Sequence, residues 1–330
     1  MAEPSSYRRR AGVPMIETLG LAKTYRGRKG PIEAVRGLNL AVEAGEIFGF
    51  LGTNGAGKTT TLRMLATLLT PSAGKAVIAG VDLFHDPAEI RNRIGYVAQG
   101  GGADPGQTAR QELVIQGRAY GMSKARAIAR AEWAITTFEL AECSGRACGT
   151  YSGGQRRRLD IALGMVHAPQ LVFLDEPTTG LDPQSRAQLW GWVRRLRDEG
   201  MTVFLTTHYL DEADALCDRL AIMDHGAIVA EGTPEELKRQ AAGDVVALGV
   251  AGDAWMAREL LAGQPFVRDV EPGGDGAIRL HVHSGETAIP QIVRLLDEHG
   301  LGLKGVSLSR PSLDDVFLRT TGRSLRDGVT

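Results

Sequence analysis

Gly52-Thr53-Asn54-Gly55-Ala56-Gly57-Lys58-Thr59 spaces its glycines, its lysine and its threonine as a phosphate-binding loop does. Bare glycines let successive backbone N–H groups wrap an anion without interference from Cβ atoms. The helix expected to start at Lys58 adds partial positive charge at the same point. Lys58 supplies a full charge to the β- and γ-phosphates of a nucleotide, and the Thr59 hydroxyl suits Mg²⁺. An ordinary glycine-rich turn has no need of the Lys58-Thr59 pair that follows.

A second element carries complementary chemistry. Leu171-Val172-Phe173-Leu174 reads as a buried strand, and it runs straight into Asp175 and Glu176. Carboxylates at the carboxyl end of a parallel strand lie where open α/β sheets bind ligands. Asp175 suits the Mg²⁺ shell, and Glu176 suits the water attacking a γ-phosphate, as general base or as positioner. Two acids after a strand are weak evidence alone. Together with the glycine-rich loop they predict a nucleoside-triphosphate hydrolysis site.

Tyr151-Ser152-Gly153-Gly154-Gln155 narrows the choice. Ser152 is a good N-cap for a helix through Arg156 to Val166, so bare glycines at a helix start make a second anion-binding surface. Here the chain resembles the ABC ATPase family, whose signature motif is Ser-Gly-Gly-Gln. The resemblance implies that this surface meets the γ-phosphate held by the opposite subunit. It also implies roles for residues in family order: Gln99 as the Q-loop glutamine near Mg²⁺ and the membrane partner, Asp182 in the D-loop Gly180-Leu181-Asp182, His208 as the switch histidine on the γ-phosphate, and Tyr25 as the aromatic that stacks on adenine. A lone Gln, His or Tyr is usually structural; the ordered occurrence of all of them between about residues 15 and 235 is what carries the resemblance. The expected site is therefore catalytic Lys58, Glu176 and His208. Nucleotide contacts are expected from Tyr25, Gly52, Thr53, Asn54, Gly55, Ala56, Gly57, Lys58, Thr59, Thr60, Gln99, Ser152, Gly153, Gly154, Gln155 and Asp182, and Mg²⁺ contacts from Thr59, Gln99 and Asp175. Thr53 stands where many relatives have proline, in the variable part of the loop. The run Gly100-Gly101-Gly102-Ala103-Asp104 fits a flexible partner-contact loop and a plain surface loop equally.

Within that family, Gln155-Arg156-Arg157-Arg158-Leu159-Asp160-Ile161-Ala162 and the tail Pro311-Ser312-Leu313-Asp314-Asp315-Val316-Phe317-Leu318 resemble daunorubicin-resistance-type exporter ATPases. The resemblance implies an ATP-hydrolysing subunit that powers export of a drug, antibiotic or other hydrophobic compound through a separate permease. With one P-loop and one signature motif in the chain, two copies must pair head to tail to build two equivalent ATP sites. The alternatives are an importer ATPase, a soluble ABC ATPase acting on ribosomes or DNA, and a regulatory module using ATP as a switch. The exporter-type tail, the single ATPase domain, the lack of a coiled-coil insertion, and intact Glu176 and His208 argue against them in turn.

The elements that must position these residues are legible in the hydrophobic pattern. Ile16 to Leu21, Leu38 to Val42 and Ile47 to Leu51 read as strands, and Lys58 to Leu69 as a helix ended by Thr70-Pro71. Residues 107 to about 140 read as mainly helical, and helices alternate with strands from Tyr151 to Leu220, as in an α/β core with parallel strands. Gly232-Thr233-Pro234 opens a short helix with Thr233 as N-cap and Pro234 at its first position. Beyond it Val245–Val250, Ala254–Leu261, Phe266–Val270, Ile278–His283, Ala288–His299 and Val306–Leu308 read as β-α-β-β-α-β, the order of a ferredoxin-like domain. The predicted fold class is thus α/β, a P-loop NTPase of ABC ATPase type (RecA-like core, antiparallel β subdomain, helical subdomain) with a small α+β C-terminal domain. The domains are expected at 1–14 (a flexible arm), 15–240 (ATP-binding) and 241–330 (accessory).

Length and composition agree. The 330 residues, 43% of them hydrophobic, suffice for one large domain and a smaller one. With 38 basic and 39 acidic side chains the net charge is -1, and no basic excess points to nucleic acid. Cys143, Cys148 and Cys217 have no metal-ligand spacing and read as reduced thiols. No run of about 18 apolar residues occurs, and Arg8-Arg9-Arg10 is not followed by a signal-peptide core. The expected location is the cytoplasmic face of the cell membrane, held there by the permease. His281 and His283 share one strand face, and without a third ligand they read as an exposed face rather than a metal pair.

Overall fold

The computed structural model describes residues 13–28, 30–241, 243–272 and 277–322. The arm expected at 1–14 lies almost wholly outside the described residues. The chain divides into two compact units, Met1–Glu231 and Gly232–Thr330.

In the first unit the elements follow as β1 (Ile16–Gly27), β2 (Gly30–Val42), β3 (Ile47–Leu51), α1 (Lys58–Leu65), β4 (Ala73–Ile78), β5 (Val81–Asp82), α2 (Pro87–Arg93), β6 (Ile94–Val97), α3 (Ala109–Ala119), α4 (Lys124–Thr137), a 3-10 turn (Cys148–Thr150), α5 (Gly153–Met165), β7 (Leu171–Asp175), α6 (Pro183–Asp198), β8 (Thr202–Thr207), α7 (Leu210–Leu216), β9 (Arg219–Asp224) and β10 (Ala227–Gly232). One sheet, in the order β2-β1-β4-β5, is antiparallel. The other has the order β10-β9-β3-β8-β7-β6, and β9, β3, β8, β7 and β6 run parallel. Strands buried on both faces read as continuous apolar runs. Every residue of β3, β7 and β8 is buried accordingly. Phe48, Phe50, Phe173 and Phe204 interlock between them with ring centroids 4.9 to 6.0 Å apart. The centre of the sheet is thereby rigid where its strand ends carry the candidate residues.

The helix expected to reach Leu69 ends at Leu65. Thr67 takes a left-handed conformation, φ 62°. Leu68 N then donates to Arg63 O at 2.8 Å and Thr67 N to Met64 O at 3.0 Å. That pair of bonds is the Schellman termination, which satisfies the last carbonyls four residues before the helix was expected to end. A β-branched residue in the position that usually takes glycine gives no warning of it.

The second unit contains α8 (Pro234–Ala241), β11 (Asp244–Ala251), α9 (Ala254–Ala262), β12 (Val267–Pro272), β13 (Ala277–Val282), α10 (Gly285–Glu298), β14 (Gly302–Ser309) and α11 (Leu313–Thr321). Its sheet order is β12-β13-β11-β14 with antiparallel pairing throughout. The β-α-β-β-α-β order and this sheet match the ferredoxin-like expectation. Val246, Leu248, Leu280 and Val282 of the central strands bury against Ala257, Leu261, Ile292 and Leu296 of α9 and α10. Thr233 Oγ1 accepts from Glu236 N, and Glu236 Oε2 accepts from Thr233 N, closing a capping box on α8. His281 faces Glu271 and His283 accepts from Arg268, so neither shares a ligand position with the other.

Candidate active site

The carboxyl ends of four neighbouring strands converge. β3 ends at Leu51 and enters the glycine-rich loop, β8 ends at Thr207 before His208, β7 ends at Asp175 before Glu176, and β6 leads through Ala98 to Gln99. In-register pairing of Leu51 with Thr207 and of Asp175 with Thr206 sets these ends level with one another. A cavity of about 130 Å³ opens there, lined by Thr53, Asn54, Gly55, Gly57, Lys58, Thr59, Thr60 and Glu176, with Ala34 from β2 at its rim.

The loop has its shape because two glycines allow it. Gly57 sits at φ +104°, and a Cβ there would meet Ala34 O at 2.5 Å. A Cβ on Gly52 would meet Met223 O at 2.4 Å. Lys58 is 4% exposed and donates to Gly52 O at 2.6 Å and Thr53 O at 3.1 Å. Its ammonium stands 3.7 Å from Glu176 Oε1. Burial pushes the Lys58 pKa down, and the Glu176 and Asp175 carboxylates pull it back up.

Glu176 collects the other side chains. Gln99 Nε2 donates to its Oε2 at 2.9 Å, Thr179 Oγ1 donates to the same oxygen at 3.2 Å, and His208 Nδ1 lies 3.3 Å from it. The His208 ring holds the Glu176 carboxyl below the usual carboxylate range; burial pushes the other way, and the Lys58 charge adds to the downward pull. The Glu176 backbone is left-handed, φ 45°, and its N–H donates to Thr206 O at 3.1 Å and Thr206 Oγ1 at 3.0 Å. A non-glycine residue kept there costs on the order of 1 kcal/mol, sustained only by surrounding bonds of this kind.

Asp175 is 2% exposed; its Oδ1 accepts from Thr59 Oγ1 at 3.0 Å and from Thr206 Oγ1 at 2.8 Å. A hydroxyl and a carboxylate oxygen so close together are hard donors that suit Mg²⁺.

Ser152, Gly153, Gly154 and Gln155 do not join this cavity. They open α5, with Ser152 Oγ accepting from Gln155 N at 3.3 Å and Gln155 Oε1 accepting from Ser152 N at 3.1 Å, a capping box. Ser152 and Gly153 are exposed. Asp182 also lies apart as the N-cap of α6, accepting from Ser185 N at 2.9 Å and Ser185 Oγ at 2.7 Å, and these bonds hold its carboxyl low. Tyr25 is 40% exposed on β1 with the Lys23 ammonium 5.4 Å from its ring, outside the cavity lining. The glycine-rich run after Gln99 is fixed rather than loose: Ala103 is buried, and Gly102 N donates to Asp160 Oδ1 at 3.2 Å. Thr179 and Thr206 escaped the sequence reading. Their only signal was hydroxyl-bearing residues beside Glu176 and at the end of β8. Cys143, Cys148 and Cys217 are buried free thiols.

A family model described as the ABC transporter matches residues 35–179, and one described as the C-terminal domain of DrrA1-3-like ATP-binding proteins matches residues 232–321. The chain is 46% identical to the daunorubicin/doxorubicin resistance ATP-binding protein DrrA of Streptomyces peucetius, over 96% of this chain and 94% of that protein. It is 40% identical to the Nod factor export ATP-binding protein I of Burkholderia lata, over 89% and 93%. Among solved structures, a dimeric ATP-binding cassette in a post-hydrolysis state with ADP and phosphate superposes with a TM-score of 0.62 at 25% identity, covering 66% of this chain and 98% of that one.

Proposed function

The chain belongs to the ABC transporter ATP-binding proteins of the drug-resistance type, and from that premise we propose that it is the ATP-hydrolysing subunit powering export of a drug, antibiotic or other hydrophobic compound through a separate membrane subunit. One observation carries this reading: Lys58, Gln99 and His208, from three separate segments, and Thr179 of Glu176's own loop all meet the Glu176 carboxylate beside the glycine-rich loop.

The chemistry follows from the placement. Backbone N–H groups of residues 53–59 and the Lys58 ammonium bind the β- and γ-phosphates, on the N-terminus of α1. Glu176, held ionised, accepts a proton from the water that attacks the γ-phosphorus, and the bond to the β,γ-bridging oxygen breaks toward ADP. Gln99 and Thr179 fix the direction of that carboxylate, and His208, 3.3 Å from Glu176 Oε2, would contact a γ-phosphate oxygen as the family resemblance implies. Thr59 and Asp175, with Gln99 nearby, would hold Mg²⁺, which neutralises phosphate charge.

Ser152 and Gly153 are exposed at the start of α5, and neither lines the cavity of the glycine-rich loop. A second copy pairing head to tail brings this surface onto the triphosphate of the first, so ATP becomes the bond between subunits and hydrolysis releases it. Among the described residues no helix is long and apolar enough to cross a membrane. In this proposal the transport path lies in a separate permease, which would hold this subunit at the cytoplasmic face. Relatives named for drug resistance and for Nod factor export match at similar identity, which fits a common motor whose cargo the permease selects.

ATP turnover by the full chain tests the reading. Lys58→Ala and Glu176→Gln should each reduce it by roughly 100-fold or more. Turnover unchanged in Glu176→Gln would overturn it.

A further inference from the structure

Arg157 is 7% exposed, and each nitrogen of its guanidinium donates to a backbone carbonyl. Its Nε donates to Pro177 O at 2.7 Å, one terminal nitrogen to Ala98 O at 2.7 Å, and the other to Asp175 O at 3.2 Å. These three carbonyls have a common property. Asp175 and Pro177 flank Glu176 on either side, and Ala98 precedes Gln99, which itself bonds to Glu176. One planar cation therefore brackets the carboxylate that faces the water and the amide that orients it. It does so from α5, the helix that Ser152 caps.

The same helix holds the loop beyond Gln99 at two more points. Asp160 Oδ1 accepts from Gly102 N at 3.2 Å, and Arg156 donates to Ala103 O at 3.1 Å. Burying a guanidinium is expensive unless every donor finds an acceptor. Burial does push the Arg157 pKa down, against Asp160, Asp175 and Glu212. A fold needing only packing here would be served by an apolar side chain; the rigid fork adds a fixed geometry between three loops.

We propose that Arg157 is a positioning residue for hydrolysis: it sets the relative placement of Glu176 and Gln99 and ties both to the helix that carries the Ser152 surface. The inference rests on the reading of Glu176 as the group that handles the attacking water. Through Arg157, a displacement of α5 moves the Glu176 and Gln99 segments with it.

Single-turnover ATP hydrolysis and nucleotide affinity of the full chain, compared for wild type, Arg157→Gln, Arg157→Lys, Glu176→Gln and the Arg157→Gln/Glu176→Gln double variant, test this. A misplacement of about 1 Å costs up to roughly 100-fold in rate, so Arg157→Gln should hydrolyse about 10- to 100-fold more slowly while binding ATP within about threefold of wild type. Arg157→Lys keeps the charge without the fork and should recover part of the loss. On the Glu176→Gln background, Arg157→Gln should cost nothing further, because both act through one carboxylate. The proposal is overturned by a folded Arg157→Gln with wild-type turnover, by affinity falling in step with rate, or by fully additive losses in the double variant. It is also overturned if neither Arg157 variant folds, since the cation then serves the core. Wild-type hydrolysis by Glu176→Gln would instead remove the reading of Glu176 itself, a result separate from any Arg157 outcome.

Discussion

The Lys58 ammonium stands 3.7 Å from Glu176 Oε1, and both side chains are less than a tenth exposed. The pair joins the group that would grip the γ-phosphate to the group that would handle its attacking water. Removing one member of a buried ion pair leaves the other uncompensated, at a cost of about 3–5 kcal/mol. Asp175 and the bonds from Gln99 and Thr179 reduce that figure here, because they remain as partners.

Lys58→Ala should thus have two effects. Fluorescent-nucleotide titration should show ATP affinity weaker by roughly 10- to 100-fold, the worth of a charge-assisted bond. Without Lys58 the Glu176 carboxyl loses part of the pull that keeps it low. Unchanged affinity would show that the loop backbone alone holds the phosphates.

Gly57 offers a sharper steric test. At φ +104°, with Ala34 O only 2.5 Å from an added Cβ, Gly57→Ala is strained in both conformation and contact. Denaturant unfolding should show a loss of about 1–3 kcal/mol, and ATP binding should fall with it because the loop no longer closes. Retention of both would mean that the loop tolerates another shape.

His167 makes stability depend on pH. Its Nε2 lies 2.8 Å from Ile94 O, its ring stacks on Tyr120 with centroids 3.7 Å apart, and burial pushes its pKa down to about 4. The unfolded imidazole takes up a proton near its ordinary value of about 6.5, whereas the folded one stays neutral to about 4. The unfolded state therefore binds more protons across that window, and folding stability falls as pH drops through it. The loss from this residue is on the order of 2 kcal/mol, discounted for its partial exposure. His167→Gln should remove that component, so its stability gap to wild type should narrow between pH 7 and pH 4.5. A gap independent of pH would contradict the assignment.

Much of this site was readable in advance because its residues sit at strand ends. Ile47–Leu51 and Leu171–Leu174 are apolar runs of strand length and Thr202–Thr207 is rich in β-formers; the carboxyl ends of the three strands they form set where Lys58, Asp175, Glu176 and His208 meet. The C-terminal sheet was readable for a similar reason, since alternation along β11 and β13 marks one buried face. What escaped was whatever depends on backbone rather than side-chain identity. Arg157 binds three carbonyls, and every sequence has carbonyls. The Schellman turn at Thr67 escaped because threonine seldom adopts that conformation. The meeting of Ser152 with a phosphate is a relation between two chains, which one chain's pattern carries only by resemblance.

That relation is the central claim, and sedimentation of the Glu176→Gln chain measures it most directly. With ATP and Mg²⁺ it should sediment as a dimer, and with ADP as a monomer. Gly153 is the place to break the pairing alone: no atom lies within 4 Å of an added Cβ there, so Gly153→Asp fits the single chain and sets a negative charge against the phosphate. The Glu176→Gln/Gly153→Asp chain should bind ATP and remain monomeric. A Glu176→Gln chain that binds ATP fully yet stays monomeric, or a Gly153→Asp variant that dimerises as well as its parent, would contradict a triphosphate clamped between two copies.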